Sequence, residues 1–267
     1  MEPTEILNAA RSALAEMSQK VTGMIRGLPD ATVAVPGSDW TVRDTAIHLV
    51  HGGRLYTELA TGAPSPYPDL KKETVAAFCA EFIADIPETD PGKLADLVGD
   101  AYDGFLDATA GRRGEQQVHY HAGVAYHLAG LACVLLGELV IHGYDMASAL
   151  GQPWPIDPVH AGLVLNGYAP LYGECLNPIT TAGHNAAYGI EVRGGGSLTV
   201  SFVDGRYQLA EGILGPVDCE LSADPVAFLL LGSGRITRFQ AVALGLVSFG
   251  GPNPELALRF PDLFVYP

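Results

Sequence analysis

Basic residues are scarce in this 267-residue sequence, where 15 lysines and arginines stand against 30 aspartates and glutamates. The formal net charge is −15 at pH 7 with histidine neutral. Proteins that bind nucleic acids contact the phosphates through basic surfaces, so this balance argues against a nucleic-acid partner. The acidic excess is instead typical of a surface that keeps a globular protein soluble.

Cysteines are also few, and none of them forms a Cys-x-x-Cys pair. The four are Cys79, Cys133, Cys175 and Cys219. Isolated cysteines in apolar surroundings are more often buried thiols than catalysts, and we interpret these four in that way.

Apolar runs long enough to span a bilayer are absent as well. The longest, residues 128–141, is too short to span a bilayer and contains Glu138. The start of the chain shows no basic segment followed by an apolar core, the pattern of a secretory signal. The sequence therefore predicts a soluble, cytoplasmic protein with no membrane partner.

The most informative stretch is residues 123–150, a largely apolar segment without proline that predicts a buried helix. Glu138 and His142 are four positions apart, so their side chains share one helix face, and Asp145 stays on that face. Burying an unpaired charge is costly, so this pair requires a partner. Two explanations stay open: a divalent metal, for which both residue types are ordinary ligands, or a hydrogen-bonded polar core without metal.

An earlier helix supplies a third candidate ligand. Thr41 is a plausible N-cap, and Asp44 follows three residues later, which is close to a capping box. His48 lies on this helix among apolar residues. Helix bundles build metal sites from side chains on facing helices, so His48 is the obvious companion of Glu138 and His142.

The chain has two parts with different periodicity. Helical spacing in the first part predicts a bundle, with segments at residues 4–28, 40–51, 73–85, 91–110 and 123–150. His119 and His121 alternate just before the last segment, and we interpret them as part of a solvent-exposed loop rather than of a pocket mouth. From residue 188, short alternating segments separated by glycine predict a strand meander followed by helices, the last over residues 254–264. This order argues for a separate α+β domain.

Two motifs of the bundle, taken together, carry a family resemblance. The first reads Trp40-Thr41-Val42-Arg43-Asp44-x-x-x-His48-Leu49. The second reads Gly137-Glu138-Leu139-Val140-Ile141-His142-Gly143-Tyr144-Asp145-Met146-Ala147-x-Ala149-Leu150-Gly151-x-Pro153. The pair resembles the mycothiol-dependent maleylpyruvate isomerase family of the DinB-like helical bundles. The later stretches Leu221-Ser222-Ala223-Asp224-Pro225 and Leu231-Gly232-Ser233-Gly234-Arg235 resemble the sterol-carrier-like domain often fused to that bundle.

The resemblance implies a mixed α + α/β architecture over nearly the whole chain. A DinB-like four-helix bundle occupies residues 1–180, and a small α+β sterol-carrier-like domain occupies residues 181–267. It also implies a divalent metal, typically Zn2+, held by one histidine of the second helix and a Glu-x-x-x-His pair on a later helix. The matching positions in this sequence are His48, Glu138 and His142.

The resemblance further implies a cosubstrate and a catalytic arginine. Members of the family use mycothiol, the low-molecular-weight thiol of actinobacteria, with its sulfur at the metal. The family also has a functional arginine in the second domain. Arg235 is the position that matches it, with Arg238 as the competing assignment. This arginine is expected to bind a substrate carboxylate or a developing oxyanion. Metal-bound histidines are usually oriented by a further hydrogen bond, for which Asp44 and Asp145 are the candidates. For Asp145, a purely local pairing is an equal alternative.

These features predict an enzyme in which metal-activated mycothiol attacks a small electrophilic substrate. The enzyme is either a cis-trans isomerase or an S-transferase, and the products distinguish the two. The sequence also leaves open whether the cosubstrate is another thiol, such as bacillithiol or ergothioneine. The main alternative is a non-catalytic metal- or small-ligand-binding protein with an apolar pocket in its C-terminal domain. A metal-free polar core around Glu138 is the third possibility.

Overall fold

A computed structural model describes residues 1–265, except for the side chain of Lys72. The chain divides into two compact units. The first comprises Met1–Ile156 and Asn166–Tyr168, and the second comprises Asp157–Leu165 and residues 169–265. The linear boundary between residues 180 and 181 stays a prediction.

The first unit is a helix bundle. Its helices are α1 (Pro3–Arg26), α2 (Val42–Ala60), α3 (Lys72–Asp85), α4 (Pro91–Ala108) and α5 (Leu128–Ala149). Helices α1, α2, α4 and α5 pack against one another, and α3 packs against α2. The predicted four-helix bundle is therefore confirmed.

Local sequence explains where α2 begins and why α5 is central. The Thr41 side chain accepts a hydrogen bond from the Asp44 amide and Asp44 accepts from the Thr41 amide, which is the predicted capping box. Helix α5 is apolar on nearly every face. Among residues 1–265 it alone is long and apolar enough to cross a membrane, yet 72% of its most apolar window is buried within the protein.

Helix α5 starts five residues later than predicted. The preceding residues form an antiparallel hairpin of β1 (Gln117–His119) and β2 (Ala125–His127). Ala122 and Gly123, between these strands, have φ angles of 57° and 73°. Positive φ values do not occur within a right-handed helix, so the predicted start at residue 123 was wrong.

The second unit contains a five-stranded sheet. Its strands are β3 (Ala186–Val192), β4 (Ser197–Val203), β5 (Arg206–Glu211), β6 (Cys219–Ala223) and β7 (Val247–Gly250). The order across the sheet is β5-β4-β3-β6-β7. Strands β3 and β6 are parallel and the other neighbours are antiparallel, so only β3 to β5 form the predicted meander.

Short helices accompany the sheet: α7 (Pro225–Gly232) and α8 (Arg238–Ala243), while α6 (Pro158–Tyr168) contributes residues to both units. One face of the sheet buries Tyr188 and Phe202. The predicted closing helix is instead two 3-10 helices, Pro254–Leu258 and Phe260–Leu263. Pro261 has no amide hydrogen to donate, which prevents one continuous helix. The α+β class of this unit is confirmed.

Candidate metal centre

Helices α2 and α5 pack together in the first unit and bring the three predicted ligands to one place. His48 projects from α2, and Glu138 and His142 project from successive turns of α5. A helix places residues i and i+4 on one face, so Glu138 and His142 meet His48 from the same side. His48 lies 90 residues before Glu138 in sequence, yet the three side chains form one cluster.

The ligand atoms converge on the carboxylate. His48 Nε2 lies 3.1 Å from Glu138 Oε2, and His142 Nε2 lies 3.4 Å from the same oxygen. One ligand atom from each residue lies within 4.8 Å of the other two. The side chains are 15%, 20% and 18% exposed for His48, Glu138 and His142 respectively. This geometry is compact enough for all three to contact one small cation.

The carboxylates and imidazoles of the cluster stabilise one another's charged forms. Burial opposes the ionised form of Glu138, but hydrogen bonds and positive charge from His142 and His48 hold its carboxyl pKa well below the usual range. Burial also opposes the imidazolium of His142, but the carboxylates of Asp145 and Glu138 raise its pKa to about 9. The pKa of His48 is raised despite its burial, through contacts with Cys79 and Glu138. Protons and a cation therefore compete for the same two nitrogens.

Each imidazole has a second partner on its other nitrogen. His142 Nδ1 lies 3.2 Å from Asp145 Oδ2 on the same helix. His48 Nδ1 lies 3.5 Å from Cys79 Sγ, which α3 supplies. Sequence reasoning proposed Asp145 for such a contact but missed Cys79, which has no polar sequence neighbour to mark it.

Trp40 was also missed as part of the site, although it opens the first motif. Its ring centroid lies 4.9 Å from that of His48 and 6.1 Å from that of His142. The indole is half-buried and forms an apolar wall beside both imidazoles. The signal that could have identified it is its place directly before the Thr41 N-cap, which fixes it at the start of α2.

Asp44 has a different role from the one predicted. Its carboxylate accepts hydrogen bonds from Thr41 and pairs with Arg43 at 2.8 Å. Arg43 also donates to the carbonyls of Ile86 and Glu88, beyond the end of α3. Asp44 is therefore committed to the helix cap and to this arginine, and its carboxylate orients neither histidine.

The two candidate arginines lie in the second unit. Arg235 donates to the Ser233 carbonyl at 2.6 Å. Arg238 donates to the Leu258 carbonyl and forms an ion pair with Asp262 at 2.8 Å. The assignment of a functional arginine stays a prediction.

A second group of histidines lies in the first unit. His51 Nε2 lies 2.8 Å from Tyr67 Oη, and His121 Nδ1 lies 2.7 Å from Ser65 Oγ. Burial lowers the pKa of both histidines to about 4. His119 is exposed, as predicted, but His121 is only 6% exposed, so the exposed-loop interpretation was wrong for it.

The donor set fits a divalent cation. Two imidazole nitrogens and one carboxylate oxygen are typical of zinc sites that keep an open coordination position for water or substrate. Both Nδ1 atoms have partners, so both Nε2 atoms are directed into the cluster.

The comparisons with known proteins agree with this architecture. Residues 11–147 match the model of the mycothiol maleylpyruvate isomerase N-terminal domain, and residues 178–265 match the SCP-2 sterol transfer family. No curated protein matches the chain.

Two solved structures have a similar fold. One is a mycothiol-dependent maleylpyruvate isomerase, with a TM-score of 0.52 and 13% identity over 87% of this chain and 90% of that one. The other is a histidine-to-alanine mutant of a mycothiol-dependent maleylpyruvate isomerase, with a TM-score of 0.54 and 13% identity over 86% and 90% of the two chains. At this identity the likeness shows the fold alone. Because the first family model covers more than half of the sequence, the chain belongs to the mycothiol maleylpyruvate isomerase N-terminal domain family.

Proposed function

We propose that this protein is a metal-dependent enzyme that uses mycothiol as a cosubstrate and acts on a small electrophilic molecule as an isomerase or an S-transferase. Family membership supports the thiol and the reaction class. The observation that carries the proposal is the convergence of His48, Glu138 and His142 within 4.8 Å. We assign the metal-binding role to these three residues and take Zn2+ as the expected cation.

The residues of the chain have separable roles in this proposal. His48, Glu138 and His142 hold the cation, and Asp145 keeps the His142 ring in place through Nδ1. When bound there, a divalent cation would hold a thiol as its reactive thiolate, which is a minor species of a free thiol at neutral pH. Trp40 shields the same side chains from water, which strengthens electrostatic interactions within the site.

The product distinguishes the two activities. An enzyme that returns the thiol unchanged after altering the double-bond geometry of its substrate is an isomerase. One that leaves the thiol attached to carbon is an S-transferase. Either activity requires an electron-poor carbon, and Arg235 or Arg238 is proposed to bind a carboxylate on the substrate. We expect the protein to work in the cytoplasm, and its four free cysteines are consistent with a reducing compartment.

The first test is metal content after purification without added metal. Wild type is expected to hold about one zinc per chain, and His142→Ala to lose most of it, because one of three protein ligands is removed. His127→Ala is the matched control, since it removes an exposed histidine at the N-terminal end of the same helix. Wild-type protein without stoichiometric metal would overturn the proposal.

The second test is turnover of the zinc-loaded enzyme with mycothiol. Maleylpyruvate tests the isomerase, and an activated alkyl halide or enoate tests the S-transferase. Product formation that requires both zinc and the thiol supports the proposal. Zinc binding without any thiol-dependent turnover favours the non-catalytic alternative.

One observation supports that alternative. The second unit contains an apolar cleft, lined among others by Tyr172, Ile190, Leu198, Phe228 and Phe264. A lining of this kind suits a small apolar ligand. Binding of an apolar fluorophore, displaced by fatty acids and unaffected by His142→Ala, is the result expected of such a binding protein.

A further inference from the structure

Cys79 is the one cysteine of the described residues whose sulfur contacts a candidate ligand. It projects from α3, is 4% exposed, and places its Sγ 3.5 Å from His48 Nδ1. Cys133, by comparison, is fully buried on α5, and the described residues place no polar partner against its sulfur. The contact between Cys79 and His48 therefore distinguishes a particular thiol, not buried thiols in general.

The geometry of the imidazole ring limits what Cys79 can do. The two ring nitrogens point in divergent directions, and Nε2 of His48 faces Glu138. A cation held by Nε2 and Glu138 lies on the side of the ring away from Cys79. The thiol is thus neither a ligand of that cation nor a nucleophile beside it.

We propose that Cys79 is a positioning residue for the metal centre: its sulfur accepts a hydrogen bond from Nδ1–H of His48 and so leaves the Nε2 lone pair free for the cation. Metal-binding histidines nearly always donate their other N–H to a fixed acceptor, which sets both the tautomer and the ring orientation. For His142 that acceptor is Asp145, and for His48 it is Cys79. This inference rests on the proposed function, because it requires a cation at Nε2.

The surroundings of Cys79 explain how its sulfur stays available as an acceptor. The thiol interacts with Tyr67, whose hydroxyl lies 2.8 Å from His51 Nε2. Burial lowers the pKa of His51 to about 4, so its ring is neutral at pH 7 and can accept a hydrogen bond. With Tyr67 donating to His51, the tyrosine oxygen accepts from the thiol S–H. The sulfur lone pairs are then available to accept from His48.

The two imidazoles are supported unequally. A thiol sulfur is a weak acceptor, whereas a carboxylate is a strong one. Loss of such an outer partner typically costs about 10- to 100-fold in metal affinity. We expect Cys79→Ala to weaken zinc binding by about tenfold and Asp145→Ala by closer to about 100-fold.

The test is zinc affinity by competition with a chromophoric chelator, using full-length wild type, Cys79→Ala, Cys79→Ser and Cys133→Ala. The serine variant keeps an acceptor and is expected to recover part of the affinity that alanine loses. Cys133→Ala removes an equally buried thiol and is expected to bind zinc like wild type.

A second measurement separates positioning from a merely structural role. Two-dimensional 1H–15N spectra of the histidine rings in zinc-loaded protein report the tautomer and the hydrogen bond of each imidazole. Cys79→Ala is expected to shift the Nδ1 and Nδ1–H signals of His48, and Cys133→Ala to leave them in place. Tyr67→Phe keeps the thiol but removes its partner, so it supplies a milder variant should Cys79→Ala fold poorly, with a smaller shift of the same signals expected.

The outcomes distinguish this inference from the proposed function. Unchanged zinc affinity and unchanged His48 signals in Cys79→Ala, with zinc binding still dependent on His142, overturn the role of Cys79 and leave the metal centre intact. Equal losses in Cys79→Ala and Cys133→Ala also overturn it, because they indicate a packing effect. Wild-type protein that binds no stoichiometric zinc refutes the proposed function, and the role of Cys79 falls with it.

Discussion

Acidification tests directly whether His121 is buried, as the structure places it, or exposed, as its sequence context predicts. The ring is only 6% exposed, packs against the Tyr120 ring and contacts Ser65 through Nδ1. Burial disfavours the imidazolium and lowers the pKa of His121 to about 4 in the folded protein. The perturbation is a change from pH 7 to pH 5, applied to wild type and to His121→Gln.

The sign and size of the effect follow from linkage. The pKa of His121 is 6.5 without burial and about 4 in the fold, so below pH 6.5 the unfolded chain takes up a proton that the folded chain does not. The stability present above pH 6.5 is lost as the pH falls from 6.5 towards 4. At about 1.4 kcal/mol per pKa unit, wild type should lose about 2 kcal/mol between pH 7 and pH 5 through this residue.

Urea unfolding at both pH values measures this loss as a difference between proteins. Carboxylates and the other histidines titrate in wild type and variant alike. The difference in pH dependence between wild type and His121→Gln therefore gives the contribution of His121 to the free energy of unfolding. His119→Gln, which removes an exposed histidine of the same hairpin, is the control and is expected to retain the full pH dependence. Parallel pH profiles for wild type and His121→Gln would refute the burial of His121 and support its interpretation as part of an exposed loop.

Two further predictions concern packing and capping in the bundle. A Cβ on Gly53 would lie 2.9 Å from Ala101 Cβ and 3.0 Å from the Ala101 carbonyl carbon, so Gly53→Val should lower the free energy of unfolding by about 2–3 kcal/mol in a urea titration. Gly23→Ala, whose Cβ meets nothing within 4 Å, should raise that free energy by about 0.5–1 kcal/mol, and destabilisation by both variants would contradict the close approach at Gly53. Asp44→Ala removes the partner of Thr41 in the helix cap and should cost about 1 kcal/mol of thermal stability, with zinc affinity unchanged; a large loss of zinc would instead place Asp44 at the metal centre.

Sequence periodicity and capping were enough to predict the bundle and the candidate ligands. Glu138 and His142 stand out because a polar i, i+4 pair interrupts an apolar helix, and His48 because it lies on a capped helix among apolar residues. These signals are local and depend only on helix geometry. The structure brings the three side chains together, and their role as metal ligands stays a prediction.

The missed features depend on contacts between elements distant in sequence. Cys79 reads as one more apolar residue of α3, and its role appears only when α3 packs on α2 and places the sulfur against His48. The start of α5 was misplaced because residues 123–127 lack proline and are largely apolar, while the turn at Ala122 and Gly123 is set by hairpin pairing. The parallel pairing of β3 with β6 likewise has no counterpart in either strand alone.

The charges of the candidate metal centre favour a divalent cation over a monovalent one. Glu138 and Asp145 bring two carboxylates to the two imidazoles. Two imidazolium ions would balance these carboxylates in the absence of metal, and the raised pKa values of both histidines favour that form. One divalent cation with two neutral imidazoles gives the same net charge. Exchange of two protons for one such cation therefore leaves the net charge of the cluster unchanged. A monovalent ion would leave one carboxylate charge unbalanced, and an unbalanced charge is costly in a buried site.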